Sequence, residues 1–191
     1  IHVTCTGYAS PSAAQLTVSK KKTAINTQVL HAYHMACYAS IPALRMAQGL
    51  VAYNNSKVVD IFHTELCTLH LNLFDSSPEQ LVIQSLFADG ACLYQLTKNR
   101  PTEGFEVIDI VEKILPESSG LMSWIVADQG FTMTLSKNFP RLILRQLNDF
   151  IKNWLSKKTN SFLEKALFAI HPGGPKIVEA AQKALHLQDQ Q

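Results

Sequence analysis

Of the four cysteines in this chain, Cys37 stands in the segment His34-Met35-Ala36-Cys37-Tyr38-Ala39-Ser40, where small residues lead into a helical pattern. A thiol at a buried helix start gains from the positive end of the helix dipole, which favours the thiolate, the form that attacks carbonyls. A lone cysteine in such a place is more often inert packing, so a specific partner must accompany it before it reads as a nucleophile. His171 is the best partner. It lies between Ala169-Ile170 and the turn Pro172-Gly173-Gly174-Pro175, whose rigid and compact residues fix an imidazole while letting a ligand approach the backbone. An imidazole beside a thiol can hold an ion pair with it and later donate hydrogen bonds to an oxyanion.

Two other groupings invite a metal. His31, His34 and Cys37 are spaced by three, and His63, Cys67 and His70 by four and three, so each could be drawn as a zinc site on one helical face. The second set falls in a β-prone run, where alternation puts Cys67 with His63 and His70 on the opposite face. Such spacings arise often by chance, and no metal is expected.

The elements that must position these residues alternate in type. His2-Val3-Thr4-Cys5-Thr6 is a β-prone run ending in a loop punctuated by Gly7 and Pro11. Residues 27–54 are too long for a strand and rich in Ala, and read as helical through most of their length, with tight burial. Residues 57–72 read as a strand, after the turn-like Asn54-Asn55-Ser56. Ser77-Pro78-Glu79 opens a helix, with Ser77 as cap and the acid at the positive end. A turn over Phe87-Ala88-Asp89-Gly90-Ala91 leads to a strand through Tyr94. Residues 106–114 and 123–135 read as strands, paired antiparallel, and Pro140 opens an amphipathic helix carrying Leu142, Ile143, Leu147, Phe150, Ile151 and Trp154. A strand over 162–170 delivers His171, and residues 176–187 form a closing helix. This mixed order predicts an α/β fold with sites at strand ends and helix starts.

Composition narrows the function. With 191 residues, 47% hydrophobic and 17% charged, the chain can bury a core and is no disordered tail. The net charge is +2, and the one basic cluster, Lys20-Lys21-Lys22, has no aromatic residues interleaved, so no nucleic-acid partner is expected. No apolar run approaches the roughly 20 residues that span a bilayer, and no membrane association is expected. The cysteines are unevenly spaced with no secretory context and read as reduced thiols in a cytoplasmic protein.

Four blocks, in order along nearly the whole chain, resemble the type III polyketide synthases, the chalcone synthase-like branch of the thiolase-fold enzymes. They are His34-Met35-Ala36-Cys37-Tyr38-Ala39; Thr64-Glu65-Leu66-Cys67 with Leu69-His70-Leu71-Asn72; Leu86-Phe87-Ala88-Asp89-Gly90-Ala91; and Ala169-Ile170-His171-Pro172-Gly173-Gly174-Pro175. The opening Cys5-Thr6-Gly7-Tyr8 and the Glu65-Leu66-Cys67 block resemble bacterial members more than plant ones. The resemblance implies a thiolase-like layered αβαβα fold, incomplete here. Residues 1–105 would be the C-terminal part of the N-terminal half, with the nucleophile, and residues 106–191 the N-terminal part of the C-terminal half, with the catalytic histidine.

By the same resemblance Cys37 takes an acyl group from a CoA thioester, malonyl-CoA extends it by decarboxylative Claisen condensation, and His171 supports the thiolate and the oxyanion. Phe87 matches the gatekeeper ring, Cys67 and His70 line the cavity, and Trp124 falls where chain length is tuned. Met133 replaces a second gatekeeper Phe of many plant members, which implies a roomier mouth. No cofactor is implied beyond the CoA-linked substrates, and family members are homodimers. The family's third catalytic residue, an Asn, has no counterpart in these 191 residues, nor has its basic CoA-binding N-terminal part, so the resemblance implies an excerpt of the family's chain that is inactive alone. The rival readings are a β-ketoacyl synthase fed by a carrier protein, a non-catalytic remnant acting by association, and a zinc-binding module.

Overall fold

The computed structural model describes residues 1–21, 26–53, 58–128, 130–156 and 165–191. Lys22, the turn Asn54-Asn55-Ser56 and residues 162–164 of the expected strand lie outside the described residues. The chain divides into two compact units, Ile1–Leu71 with Phe87–Ile110, and Asn72–Leu86 with Val111–Gln191.

The first unit is built on a four-stranded sheet, in the order β2-β1-β3-β4, formed by β1 (His2–Thr4), β2 (His31–Tyr33), β3 (Val58–Glu65) and β4 (Gly90–Thr97). β1 runs parallel to both neighbours, with Val3 opposite Ala32 and His63. β3 and β4 are antiparallel from Val58 opposite Thr97 to Glu65 opposite Gly90. The two-residue alternation of a strand puts Val59 and Ile61 inside while Val58, Asp60 and Phe62 face outward. Helix α2 (Ser40–Tyr53) packs on the sheet through Ala43, Ala47 and Val51, one turn apart, and joins Val3, Ala32, Val59 and Ile61 in the core. Ala43 and Ala47 are fully covered, so the small residues let the helix approach the strands closely. Helix α1 (Ala13–Lys20) begins at a capping box in which the Gln15 amide donates to Ser12 Oγ and the Ser12 amide to Gln15 Oε1.

Two departures from expectation fall here. The expected helix over 27–54 begins only at Ser40, because His31–Tyr33 is claimed by the parallel ladder with β1. The strand expected over 57–72 stops at Glu65, and Cys67–His70 is a turn of 3-10 helix. Side chains at i and i+3 eclipse in such a turn, so Cys67 and His70 share a side and the strand-face separation does not apply.

The second unit contains α3 (Pro78–Leu86), the hairpin β5 (Met122–Ala127) with β6 (Gly130–Leu135), α4 (Phe139–Leu155) and α5 (Pro175–Leu185). The segment Asn72–Leu86 packs here although it lies early in sequence. The Leu135 amide donates to Glu79 Oε1 at 2.6 Å and Gln80 Nε2 donates to the Met133 carbonyl at 2.8 Å. Helices α4 and α5 pack together, with Leu155, Ala180, Ala181 and Ala184 buried. Residues 106–114 form no strand; Ile108 and Ile114 are exposed, and the antiparallel pair lies instead within 122–135. Residues 166–172 are likewise without strand pairing, since the Phe168 amide bonds to the Gln191 carbonyl at the chain end rather than to a strand.

Sheet packing also buries an imidazole. His2 is 5% exposed, its Nδ1 shares a 2.7 Å hydrogen bond with the Tyr33 hydroxyl, and its Nε2 shares one of 2.7 Å with Thr64 Oγ1. His63 shares a 3.0 Å hydrogen bond with the Tyr94 hydroxyl. Burial first holds the His2 pKa below its ordinary value, and the neighbouring His31 and His63 push the same way. Burial also lowers His63, against the Glu65 charge. Both rings are therefore held neutral in the fold, whereas in the unfolded chain they protonate near pH 6.5. The unfolded state then binds more protons as pH falls below that value, so the stabilisation present above it is lost on acidification. We expect the thermal midpoint, followed by circular dichroism, to fall by a few degrees from pH 7.5 to 5.5, and His2→Gln to flatten that fall. A midpoint that holds or rises on acidification in the unaltered protein would refute this.

Candidate active site

Cys37 lies in a turn between strand and helix. β2 ends at Tyr33, a 3-10 turn spans Ala36–Tyr38, and α2 starts at Ser40. His34 and Ala36 both take positive φ, 56° and 57°. For a residue with a Cβ this region costs about 1–2 kcal/mol, and such strain concentrates at functional sites. The kink presents Cys37, an exposed residue, at the end of the sheet. The expected gain from the helix dipole is corrected here, because Cys37 precedes the α-helix by three residues and its thiol pKa is raised. Although the residue reaches solvent, protein atoms crowd its sulfur, and this loss of hydration is the main cause; its own backbone amide opposes it and the Glu65 charge adds to it.

The anchor of this region is Glu65, at the end of β3. The Cys5 amide donates to its Oε1 at 2.9 Å and Oε2 at 3.1 Å, the Thr6 hydroxyl to Oε2 at 2.8 Å and the Thr4 hydroxyl to Oε2 at 3.4 Å. The Leu66 amide in turn donates to Thr6 Oγ1 at 2.9 Å, and His70 Nε2 donates to the Thr6 carbonyl at 2.8 Å. A carbonyl only accepts, so the proton of that bond sits on Nε2. One carboxylate thus ties the end of β1 to the end of β3, beside the turn that carries Cys67 and His70.

Asp89 draws the Phe87 segment to the same turn. Its Oδ1 accepts from the Thr68 amide at 2.9 Å and its Oδ2 from the Thr68 hydroxyl at 2.7 Å, which hold its pKa below the ordinary carboxylate value. Phe87 itself is half-buried. The first unit therefore gathers Cys37, Cys67, His70 and Phe87 around the ends of β1, β3 and β4. Cys5 and Cys67 are close enough to Cys37 and to Glu65 for their charges to interact, and both thiols are pushed up, chiefly by burial.

The second unit holds the other three candidates. His171 is exposed, and its carbonyl accepts from the Gly173 amide at 2.9 Å, closing a tight turn. Gly174 starts α5 at φ 120°, a conformation that glycine alone adopts without strain, with the Leu86 side chain 3.6 Å from where a Cβ would stand. Trp124 and Met133 are directly opposite in the β5–β6 ladder; Met133 is buried and Trp124 packs edge-on against Phe131 at 5.5 Å. Among the described residues no group of three His, Cys, Asp or Glu side chains is placed to hold a metal ion, and no helix is long and apolar enough to cross a membrane.

Glu65, Thr4, Thr6 and Asp89 took no functional part in the sequence reading. Glu65 and Asp89 stand inside blocks that the sequence singled out, but their partners lie 59 to 61 and 21 residues away, and only the fold discloses them.

The chain is similar to known proteins along nearly its whole length. Residues 106–191 match the family model described as chalcone and stilbene synthases, C-terminal domain. The chain is 27% identical to Polyketide synthase 37 of Dictyostelium discoideum over 98% of its length, covering 6% of that protein. It is 26% identical to a Putative chalcone synthase of Bacillus subtilis (strain 168), covering 98% of this chain and 53% of that one. The crystal structure of PKS-I from the brown alga Ectocarpus siliculosus superposes with a TM-score of 0.87 at 25% identity, over 100% of this chain and 51% of the algal one. The chain thus spans about half the length of the Bacillus relative and of the algal structure, and a small part of the Dictyostelium protein. Its fold is the thiolase-type α/β fold of the type III polyketide synthases. Residues 106–191 are thus similar to the C-terminal domain of the chalcone and stilbene synthases, and nearly the whole chain is similar to polyketide synthases of that kind.

Proposed function

We propose that this chain carries the acyl-bearing thiol and the catalytic imidazole of a polyketide synthase that condenses a CoA-linked starter with malonyl-CoA. The observation that most supports the reading is the strained turn at His34 and Ala36, which sets an exposed Cys37 between strand and helix in a family whose members make such condensations. The Cys37 thiolate attacks the starter thioester carbonyl and the CoA thiol departs. Malonyl-CoA then loses CO₂ to give an enolate, whose carbon attacks the Cys37 thioester; the new carbon–carbon bond forms as the carbon–sulfur bond breaks and the thiolate returns. His171 supports the thiolate and donates to the oxygen that gains charge. Phe87 screens the cavity from water, and Cys67, His70, Trp124 and Met133 shape the space in which the product grows. The working enzyme is a homodimer in the cytoplasm.

The bacterial character of the Cys5-Thr6-Gly7-Tyr8 and Glu65-Leu66-Cys67 blocks favours an aliphatic starter and a pyrone or resorcinol product over a chalcone-like one. Incubating the native protein with malonyl-CoA and a panel of aromatic and fatty acyl-CoAs, with products read by mass, tests this. Products from fatty starters are expected; turnover of aromatic starters alone would reject the aliphatic assignment, and products from none would reject the synthase.

A second reading has one observation in its favour. The raised Cys37 thiol is what a non-catalytic remnant would show, and in that case Cys37 would take no acyl group at all.

A further inference from the structure

We propose that Glu79 and Gln80 are positioning residues that hold the open edge of β6, and with it the Met133–Trp124 pair, and so limit how far the product grows. The inference rests on the reading that Met133 and Trp124 shape the product space. Its basis lies wholly within the second unit. The Ser136 amide bonds to the Leu121 carbonyl at 2.8 Å, on the β5 side of the hairpin. Backbone groups of successive residues in a strand point to its two sides in turn, so Met133 and Leu135 turn theirs away from β5. That edge has no third strand among the described residues. The first turn of α3 takes its place: Gln80 Nε2 donates to the Met133 carbonyl at 2.8 Å, and the Leu135 amide donates to Glu79 Oε1 at 2.6 Å. One side chain donates and the other accepts, as the backbone of a neighbouring strand would.

Packing backs these two bonds. Ile83, about one turn further along α3, is buried, and so is Met133, the residue whose carbonyl is held. Met133 and Trp124 stand opposite at a pair that exchanges no backbone hydrogen bonds, where side chains come closer than at the alternate positions. At its other end α3 sets the Leu86 side chain against Gly174, in the turn that follows His171. Helix α3 therefore links two groups of candidate residues, Met133 with Trp124 near its start and the His171 turn near its end. A shift of its first turn would move the Met133 wall of the product space relative to the imidazole.

The test is amide hydrogen exchange of the native protein at single-residue resolution, with Ser136 as internal reference because its amide faces the other side of the same strand. Glu79→Ala should speed exchange at Leu135 about tenfold and leave Ser136 within about twofold. Glu79→Gln keeps an acceptor oxygen and should hold Leu135 within about twofold of the unaltered protein. Gln80→Glu sets an acceptor against the Met133 carbonyl. With malonyl-CoA and a fatty acyl-CoA its products, read by mass, should spread over several lengths, where Glu79→Gln keeps the original one. A Leu135 rate unmoved by Glu79→Ala, or Leu135 and Ser136 rising together, would overturn the edge contact. Unchanged product lengths in Gln80→Glu would overturn the role in growth; should that variant fail to melt cooperatively, Glu79→Ala takes its place in the same measurement. No product from the unaltered protein would reject the synthase reading and the role in growth with it, while the exchange, which needs no turnover, still decides the edge contact.

Discussion

His171→Ala should slow the loading of Cys37 from an acyl-CoA by about 100- to 10,000-fold, the range typical of a removed acid–base or oxyanion-stabilising group. The size follows from the chemistry assigned to the residue. A thiol whose own surroundings raise its pKa is a poor nucleophile near neutrality, and in the proposed mechanism the imidazole both takes its proton and stabilises the oxygen that gains charge. The loss should be catalytic rather than structural. His171 is exposed, and its hydrogen bond with the Gly173 amide is made by the backbone carbonyl, which the substitution leaves in place. Thermal melting of the variant should therefore match that of the unaltered protein. Single-turnover acylation followed by rapid quench and mass spectrometry measures the effect; a variant that loads within about threefold of the original rate would remove His171 from the mechanism.

Ile61→Ala should destabilise the first unit by about 2–5 kcal/mol, and Ile61→Val by about 0.5–1.5 kcal/mol. Ile61 is fully covered, on the third strand of the sheet between β1 and β4, and is the largest side chain of the core that α2 covers. Truncation removes three carbons from a core cluster that also holds Ala43 and Ala47, whose small side chains cannot refill the space. The consequence reaches the site, because the same strand ends at Thr64 and Glu65. Urea unfolding followed by circular dichroism at 222 nm gives both values, and losses of less than about 1 kcal/mol for the alanine variant would show that the core is looser than the burial implies.

What the sequence disclosed and what it hid divide along a physical line. The β-prone run that begins at Val58, the Ser77-Pro78-Glu79 helix start and the amphipathic face of α4 are local patterns, and the structure has a strand or helix at all three. The strand His31–Tyr33 was illegible because three residues become a strand only when a partner 29 positions away offers a ladder. The converse holds for residues 106–114, whose apolar alternation finds no ladder partner among the described residues and leaves Ile108 and Ile114 in solvent. Cys67 and His70 were placed on opposite faces because the β-prone run continues past Glu65, whereas the 3-10 turn brings them to one side.

At the candidate site, motif order singled out Cys37, Phe87 and His171, but not the forces acting on them. Alanine gives no sequence signal of positive φ, so the strain at Ala36 was hidden. The dipole argument for Cys37 counted the helix and not the crowding of the sulfur or the charge of Glu65, which together push the thiol pKa up. Trp124 and Met133, singled out separately, proved to be cross-strand neighbours, a relation that depends on the register of the hairpin.

The central claim is that Cys37 carries the acyl group, and intact mass spectrometry of the native protein before and after exposure to a mixture of acyl-CoA thioesters tests it most directly. The account predicts a single acyl adduct that is cleaved by added thiol and is absent from Cys37→Ala. No adduct, or one that persists in Cys37→Ala, would contradict it.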